Sequence, residues 1–117
     1  GLAFLLGAAN PNVDANAAGL LPTVTETGGG LQLDFNCLPV ADRGTAKLYV
    51  QHSNDLGTWT PDPGVEVPDG PGGGPTSNVT FSVTDGSPLN SVTATIDSGA
   101  AAGDKLFGRL KATETAP

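Results

Sequence analysis

The sequence is poor in the side chains that enzymes and nucleic-acid interfaces most often use. Its 117 residues include one histidine, one cysteine, one tryptophan, one tyrosine and no methionine. Five basic side chains stand against twelve carboxylates, so the net charge is −7 at pH 7. This charge repels a phosphate backbone, and we therefore expect no nucleic-acid partner.

A single cysteine excludes a disulfide within the chain. Cys37 ends a run in which Leu31, Leu33, Phe35 and Cys37 fall on one face of a strand, because side chains alternate along it. We expect Cys37 to be a buried apolar residue, with an intermolecular bridge or a reactive thiol as the alternatives.

No apolar run approaches the roughly 20 residues that a membrane helix needs, so no membrane span is predicted. The length suits one domain with a modest core. Seventeen glycines and ten prolines cluster between short apolar runs, as expected of a β domain with many turns.

Period-two alternation predicts seven strands, bounded by turn residues. They span residues 20–27, 31–38, 45–53, 64–68, 78–84, 91–97 and 105–113, and a helical period is absent from residue 20 onward. Threonine is frequent on the faces predicted to be wet, as in antiparallel sheets with one solvated face. The predicted fold is all-β: an immunoglobulin-like antiparallel β-sandwich over residues 20–117, with an extended arm and linker over residues 1–19. The cysteine pair of antibody domains is missing, so the likeness is one of architecture.

Residues 57–78 include Trp59 and are rich in glycine and proline, and the part after Pro68 predicts a mobile surface loop. An exposed Trp59 could stack on a sugar ring, as in a carbohydrate-binding module. The alternative is a tryptophan at the edge of the core, beside Leu56. One tyrosine and one tryptophan make a platform of several rings hard to assemble.

The sequence contains no recognisable catalytic motif, and we do not expect an enzyme or a bound cofactor. His52 and Ser53 are adjacent on a predicted strand and point to opposite faces, so they cannot form a base and nucleophile pair. Several aspartates lie in or beside turns, where they cap the backbone. Calcium could use some of them, although no stretch matches an EF-hand loop. Asn78-Val-Thr80 fits the N-glycosylation acceptor pattern.

Four segments resemble the C-terminal β-domain of large exported proteins from Verrucomicrobia and related bacteria. They are residues 48–60, 79–83, 92–96 and 105–111, and the opening Gly1–Pro11 is similar to the segment that precedes that domain. The resemblance covers nearly the whole chain and carries no catalytic residues. It implies export and an extracellular or cell-surface location.

The first ten residues are apolar and carry no charged side chain, although they begin an acidic chain. Leu2, Phe4, Leu5 and Leu6 would give a strand with two apolar faces, which belongs inside a sandwich. The segment could be the end of a signal peptide, part of the chain's own core, or an arm that enters another molecule. Residues 10–19 are polar or small and could span up to ~30 Å as a tether.

The sequence therefore predicts a structural subunit of an extracellular filament. Each copy would insert Leu2, Phe4, Leu5 and Leu6 into the incomplete sheet of the next copy, head to tail. A non-polymerising accessory or spacer domain of a secreted protein is the first alternative. A carbohydrate-binding module is the second.

Overall fold

The computed structural model describes residues 22–43, 46–70 and 75–113. These residues form seven strands, as the sequence predicts: β1 (Thr23–Thr27), β2 (Gly30–Cys37), β3 (Lys47–Ser53), β4 (Thr60–Glu66), β5 (Val79–Thr84), β6 (Asn90–Ile96) and β7 (Phe107–Thr113). Two short 3₁₀ turns, Val40–Asp42 and Ser98–Ala100, are the helical elements of the described residues. None of the described helical segments has the length and apolarity needed to cross a membrane.

The strands form two sheets in which every pairing is antiparallel. The four-stranded sheet has the order β1-β2-β6-β5, and the three-stranded sheet has the order β4-β3-β7. This arrangement is that of a β-sandwich, so the predicted all-β class is confirmed. The arm and linker, residues 1–19, lie outside the described residues.

The core lies between the central strands of the two sheets. Leu33 on β2, Leu48 on β3 and Ile96 on β6 are each 0% exposed. Alternate residues of β2 and β6 are buried because both strands have one face toward the core and one toward water. The alternation of apolar and polar residues that predicted these two strands therefore matches the alternation of buried and more exposed residues in the structure.

The fourth strand differs from its predicted bounds. It begins at Thr60 and ends at Glu66, whereas the sequence predicts residues 64–68. His52 pairs with Thr60 and Val50 with Val65, so four residues of β4, residues 61–64, lie opposite one residue of β3. Two prolines lie in this bulge, and because proline within a segment argues against a strand, the sequence did not predict the first part of β4.

Gly64 explains how the bulge closes against the sheet. Its φ is +139°, and a Cβ at this position would lie 2.5 Å from the Cβ of Tyr49. Only glycine fits both the backbone conformation and the close approach. The bulge therefore covers part of the outer face of the three-stranded sheet.

Candidate functional site

The first feature of the candidate site is a residue, Val24, that faces the core side of its sheet and is half-exposed. Val24 on β1 pairs directly with Leu33 on β2, and directly paired residues share one face of a sheet. Leu33 is 0% exposed, whereas Val24 is 51% exposed. The second sheet therefore covers β2 but leaves the inner face of β1 open.

The second feature is the backbone of β7, which lies at the edge of the three-stranded sheet in the described part of the chain. The Val67 amide donates a hydrogen bond to the Leu48 carbonyl, so the backbone N–H and C=O groups of Leu48 point toward the side of β3 that pairs with β4. Backbone groups alternate in direction along a strand, and those of Tyr49 and Gln51 therefore point toward β7. Their register partners are Lys111 and Arg109.

It follows that the intervening residues of β7 direct their N–H and C=O groups away from β3. These residues are Gly108, Leu110 and Ala112, and the side chains of Leu110 and Ala112 face the core. A Cβ on Gly108 would lie 2.8 Å from a methyl group of Ile96 in the other sheet. Glycine thus lets β7 approach the four-stranded sheet closely at this end.

A cleft of about 500 Å³ lies at one end of the open side, between the β1–β2 hairpin and the segment that enters β7. Leu31 and Leu106 are its large apolar side chains, and Glu26 and Asp104 are its carboxylates. Its remaining lining residues are small: Gly29, Gly30, Ser98, Ala101 and Gly103. Glu26 pairs with Leu31, so it shares the core-facing side of β1 with Val24.

An open edge beside an uncovered inner face can accept an additional strand. The three outward-directed residues of β7 supply backbone donors and acceptors, and Val24 supplies apolar surface. The predicted arm residues Leu2, Phe4, Leu5 and Leu6 lie outside the described residues. The open edge is thus described, and the arm that the sequence predicts to be inserted is not.

The sequence did not identify Val24, Gly108, Leu110 and Ala112 as members of one site. Their strands are 80 residues apart in sequence, and the site depends on which strands lie at the edges. One signal was visible in the sequence: the β1 segment Thr-Val-Thr-Glu-Thr has a single large apolar residue. In the structure, all five of its residues are exposed. Such a strand resembles a sheet edge more than a core strand.

His52 and Ser53 do not act on each other. His52 is 8% exposed, and its Nε2 lies 2.9 Å from the Ser77 carbonyl. Ser53 Oγ instead accepts hydrogen bonds from the amides of Asp55 and Leu56. Both residues therefore have hydrogen-bond partners within the fold.

Trp59 is half-buried on the outer face of the three-stranded sheet. The Arg109 guanidinium lies over its ring, 4.1 Å from the centroid. Leu56, expected beside it at the core edge, is 58% exposed. One ring face is thus occupied by a cation, which reduces the area available for stacking on a neutral sugar.

Cys37 is buried, as the sequence predicts, at 0% exposure. Burial raises the pKa of its thiol, and this effect exceeds the opposing effect of the Arg43 guanidinium, whose Nη2 lies 3.6 Å from the sulfur. Arg43 is 3% exposed and donates to the Leu38 and Val67 carbonyls. The pair therefore fixes the segment between β2 and β3 against the end of β4.

Asp55 shows how the aspartates in turns are used. Its Oδ1 accepts hydrogen bonds from the amides of Thr58 and Gly57, both at 2.8 Å, and from the Ser53 hydroxyl. These bonds lower the pKa of the carboxyl. Among the residues that the structure describes, no three His, Cys, Asp or Glu side chains are grouped as metal ligands.

Comparisons with protein-family models, with curated proteins and with solved structures found no match. The fold and the open edge are therefore the observations from which a function can be argued.

Proposed function

We propose that the chain is a structural subunit of an extracellular filament, in which the N-terminal arm of one copy pairs with β7 of the next. The arm would contribute Leu2, Phe4, Leu5 and Leu6 to the uncovered face beside Val24. The observation that best supports this proposal is the exposure of Val24. It faces the core side of its sheet and is 51% exposed, whereas Leu33, its direct partner on β2, is 0% exposed.

The strand order supports an immunoglobulin-like assignment for this proposal. An immunoglobulin constant domain has one sheet of order A-B-E-D, and the order β1-β2-β6-β5 corresponds to it. The order β4-β3-β7 then corresponds to C′-C-F, so β7 takes the position of strand F. The next strand of such a domain, G, would pair with the open edge of β7. The inserted arm would take this position.

The composition of the arm is suited to that position. A strand inserted between β1 and β7 would contact apolar surface and the backbone of Gly108, Leu110 and Ala112. Burial of four large apolar side chains contributes about 6–12 kcal/mol as an upper bound, before the cost of ordering the arm. This is sufficient to hold subunits together, and a head-to-tail contact that does not close yields a filament.

One other arrangement uses the same open edge. The arm could fold back onto its own β7, which would give the monomeric accessory or spacer domain. A location outside the cell rests on the resemblance to exported proteins. The carbohydrate alternative concerns the Trp59 face and is independent of the edge.

Electron microscopy and sedimentation of the intact chain separate these arrangements. The proposal predicts filaments whose length increases with protein concentration. Phe4→Asp with Leu6→Asp should abolish them, because two unpaired charges cannot enter an apolar groove. A chain that stays monomeric at every concentration, and loses thermal stability with the same substitutions, would instead establish the folded-back arm.

A further inference from the structure

Arg109 lies on the outer face of the three-stranded sheet, and its guanidinium is held on two sides. Its Nε and Nη2 donate to Gln51 Oε1 at 3.0 and 2.8 Å, and its plane lies over Trp59. Gln51 is 2% exposed, and its amide nitrogen donates to the Pro61 carbonyl, which fixes its oxygen toward Arg109. A buried amide and an aromatic ring thus hold one orientation of the cation.

The edge of the guanidinium formed by Nη1 and Nη2 can still donate two parallel hydrogen bonds. Nη1 makes no hydrogen bond to any described residue, and Nη2 uses one of its two hydrogens on Gln51. A planar fork of this kind matches the two oxygens of a carboxylate. The Arg109 side of the sheet is therefore organised for an anion that approaches from outside.

Further cations lie on the same face. Lys111 follows Arg109 by two residues of β7, which places it about 7 Å along the strand. Lys47 is also on this face, since its neighbour Leu48 is buried in the core. Three of the five basic side chains of the protein thus lie on one face of one sheet, together with the exposed carboxylate of Glu66, the register partner of Tyr49. Asp62 lies 3.7 Å from Lys111 but is 88% exposed, so it can move away.

We propose that this face binds an acidic polysaccharide whose sugars carry carboxylates. Arg109 would hold one carboxylate through its fork, and Lys111 would attract the carboxylate of a neighbouring sugar. The half-buried rings of Trp59 and Tyr49 lie on the same face and offer apolar edges to the sugar rings. The net charge of −7 opposes the approach of any polyanion, as it does that of a nucleic acid, so binding depends on basic side chains that lie within the screening length of about 8 Å at physiological ionic strength.

This binding does not depend on filament formation, because it uses the outer face of the sheet and not the open edge. Binding of the intact chain to polygalacturonate can be measured by affinity electrophoresis. Fully methyl-esterified polygalacturonate is the matched probe, since it keeps the sugar chain and removes the charge. Polyglutamate tests whether a peptide carboxylate serves equally well.

Polygalacturonate should bind, the methyl ester and polyglutamate should not, and added salt should weaken binding. Arg109→Lys should weaken binding by about tenfold, because it keeps the charge and loses the fork. Lys111→Gln should weaken it several-fold at unchanged thermal stability, since Asp62 is a solvent-exposed partner. Lys105→Gln, with the same change in charge before β7, should have no effect.

If Arg109→Lys fails to fold, the test is a comparison of polygalacturonate binding by Lys111→Gln with binding by Lys105→Gln. Absence of binding to polygalacturonate, equal binding of its methyl ester, or equal loss in the Lys105→Gln control would overturn the proposal. Equal binding of polyglutamate would overturn the choice of a polysaccharide in favour of a protein partner.

Discussion

At the scale of single residues, Cys37 shows how a thiol is buried at the margin of the core beside a cation. Its sulfur lies between the apolar core and the guanidinium of Arg43, which is itself satisfied by two carbonyls. Because burial raises the pKa of the thiol, the protonated form is the form that the fold accommodates. The cysteine therefore acts as an apolar residue despite a neighbouring cation.

We predict that thiol reagents modify native Cys37 slowly and that Cys37→Ala lowers the free energy of unfolding by about 1–3 kcal/mol. A raised pKa means that the native state keeps its proton at pH values where the unfolded state has lost it. Stability should therefore fall as pH rises above about 8.5, the pKa of a free thiol. The fall should be smaller in Cys37→Ala, as measured by denaturant titration from pH 7 to pH 10. Labelling at the rate of a free thiol would contradict burial.

At the scale of elements, the two edges of β7 allow the proposed assembly to be tested separately from folding. The N–H of Lys111 points toward β3 and is part of the sheet, whereas the N–H of Ala112 points outward. Proline is accepted on an edge strand where its missing N–H faces away from the sheet. Two adjacent positions should therefore respond differently to the same substitution.

Ala112→Pro should leave a folded domain and weaken or abolish filaments, because it removes one donor for the incoming arm. Lys111→Pro should destabilise the domain itself, because it removes a hydrogen bond to β3. Circular dichroism thermal melts report folding, and electron microscopy reports assembly. Filaments of normal length from folded Ala112→Pro would contradict pairing of the arm with β7.

The elements also show what could be predicted from sequence. Regular alternation identified β2, β3, β5 and β6, because one buried face leaves a period of two in the side chains. Four of the seven residues of β4 lie in a bulge opposite one residue of β3, so its start was misplaced. The open edge was not predictable, since it depends on β1 and β7 lying at the edges of two different sheets, which the order of the strands determines.

At the scale of the whole molecule, charge and apolar surface have separate roles. Carboxylates outnumber basic groups twelve to five, so copies of the chain repel one another at low salt. The proposed contact consists of backbone hydrogen bonds and apolar side chains, and neither weakens as charges are screened. Assembly should therefore not depend on ion pairs between subunits.

We predict that filaments persist or lengthen when NaCl is raised to about 1 M, where the screening length is about 3 Å. Sedimentation across a salt series measures this. Dissociation in high salt would show that ion pairs hold the subunits, and it would contradict a contact based on apolar burial.

The central claim is that the arm pairs with the outward-directed backbone of β7, and hydrogen exchange tests it most directly. The full chain with Phe4→Asp and Leu6→Asp would be studied with and without a peptide of residues 1–12. The account predicts that the peptide slows exchange of the Gly108, Leu110 and Ala112 amides by at least about tenfold, while the Arg109 amide is protected in both states by β3. Unchanged exchange at those three amides, or protection confined to another edge strand, would contradict the account.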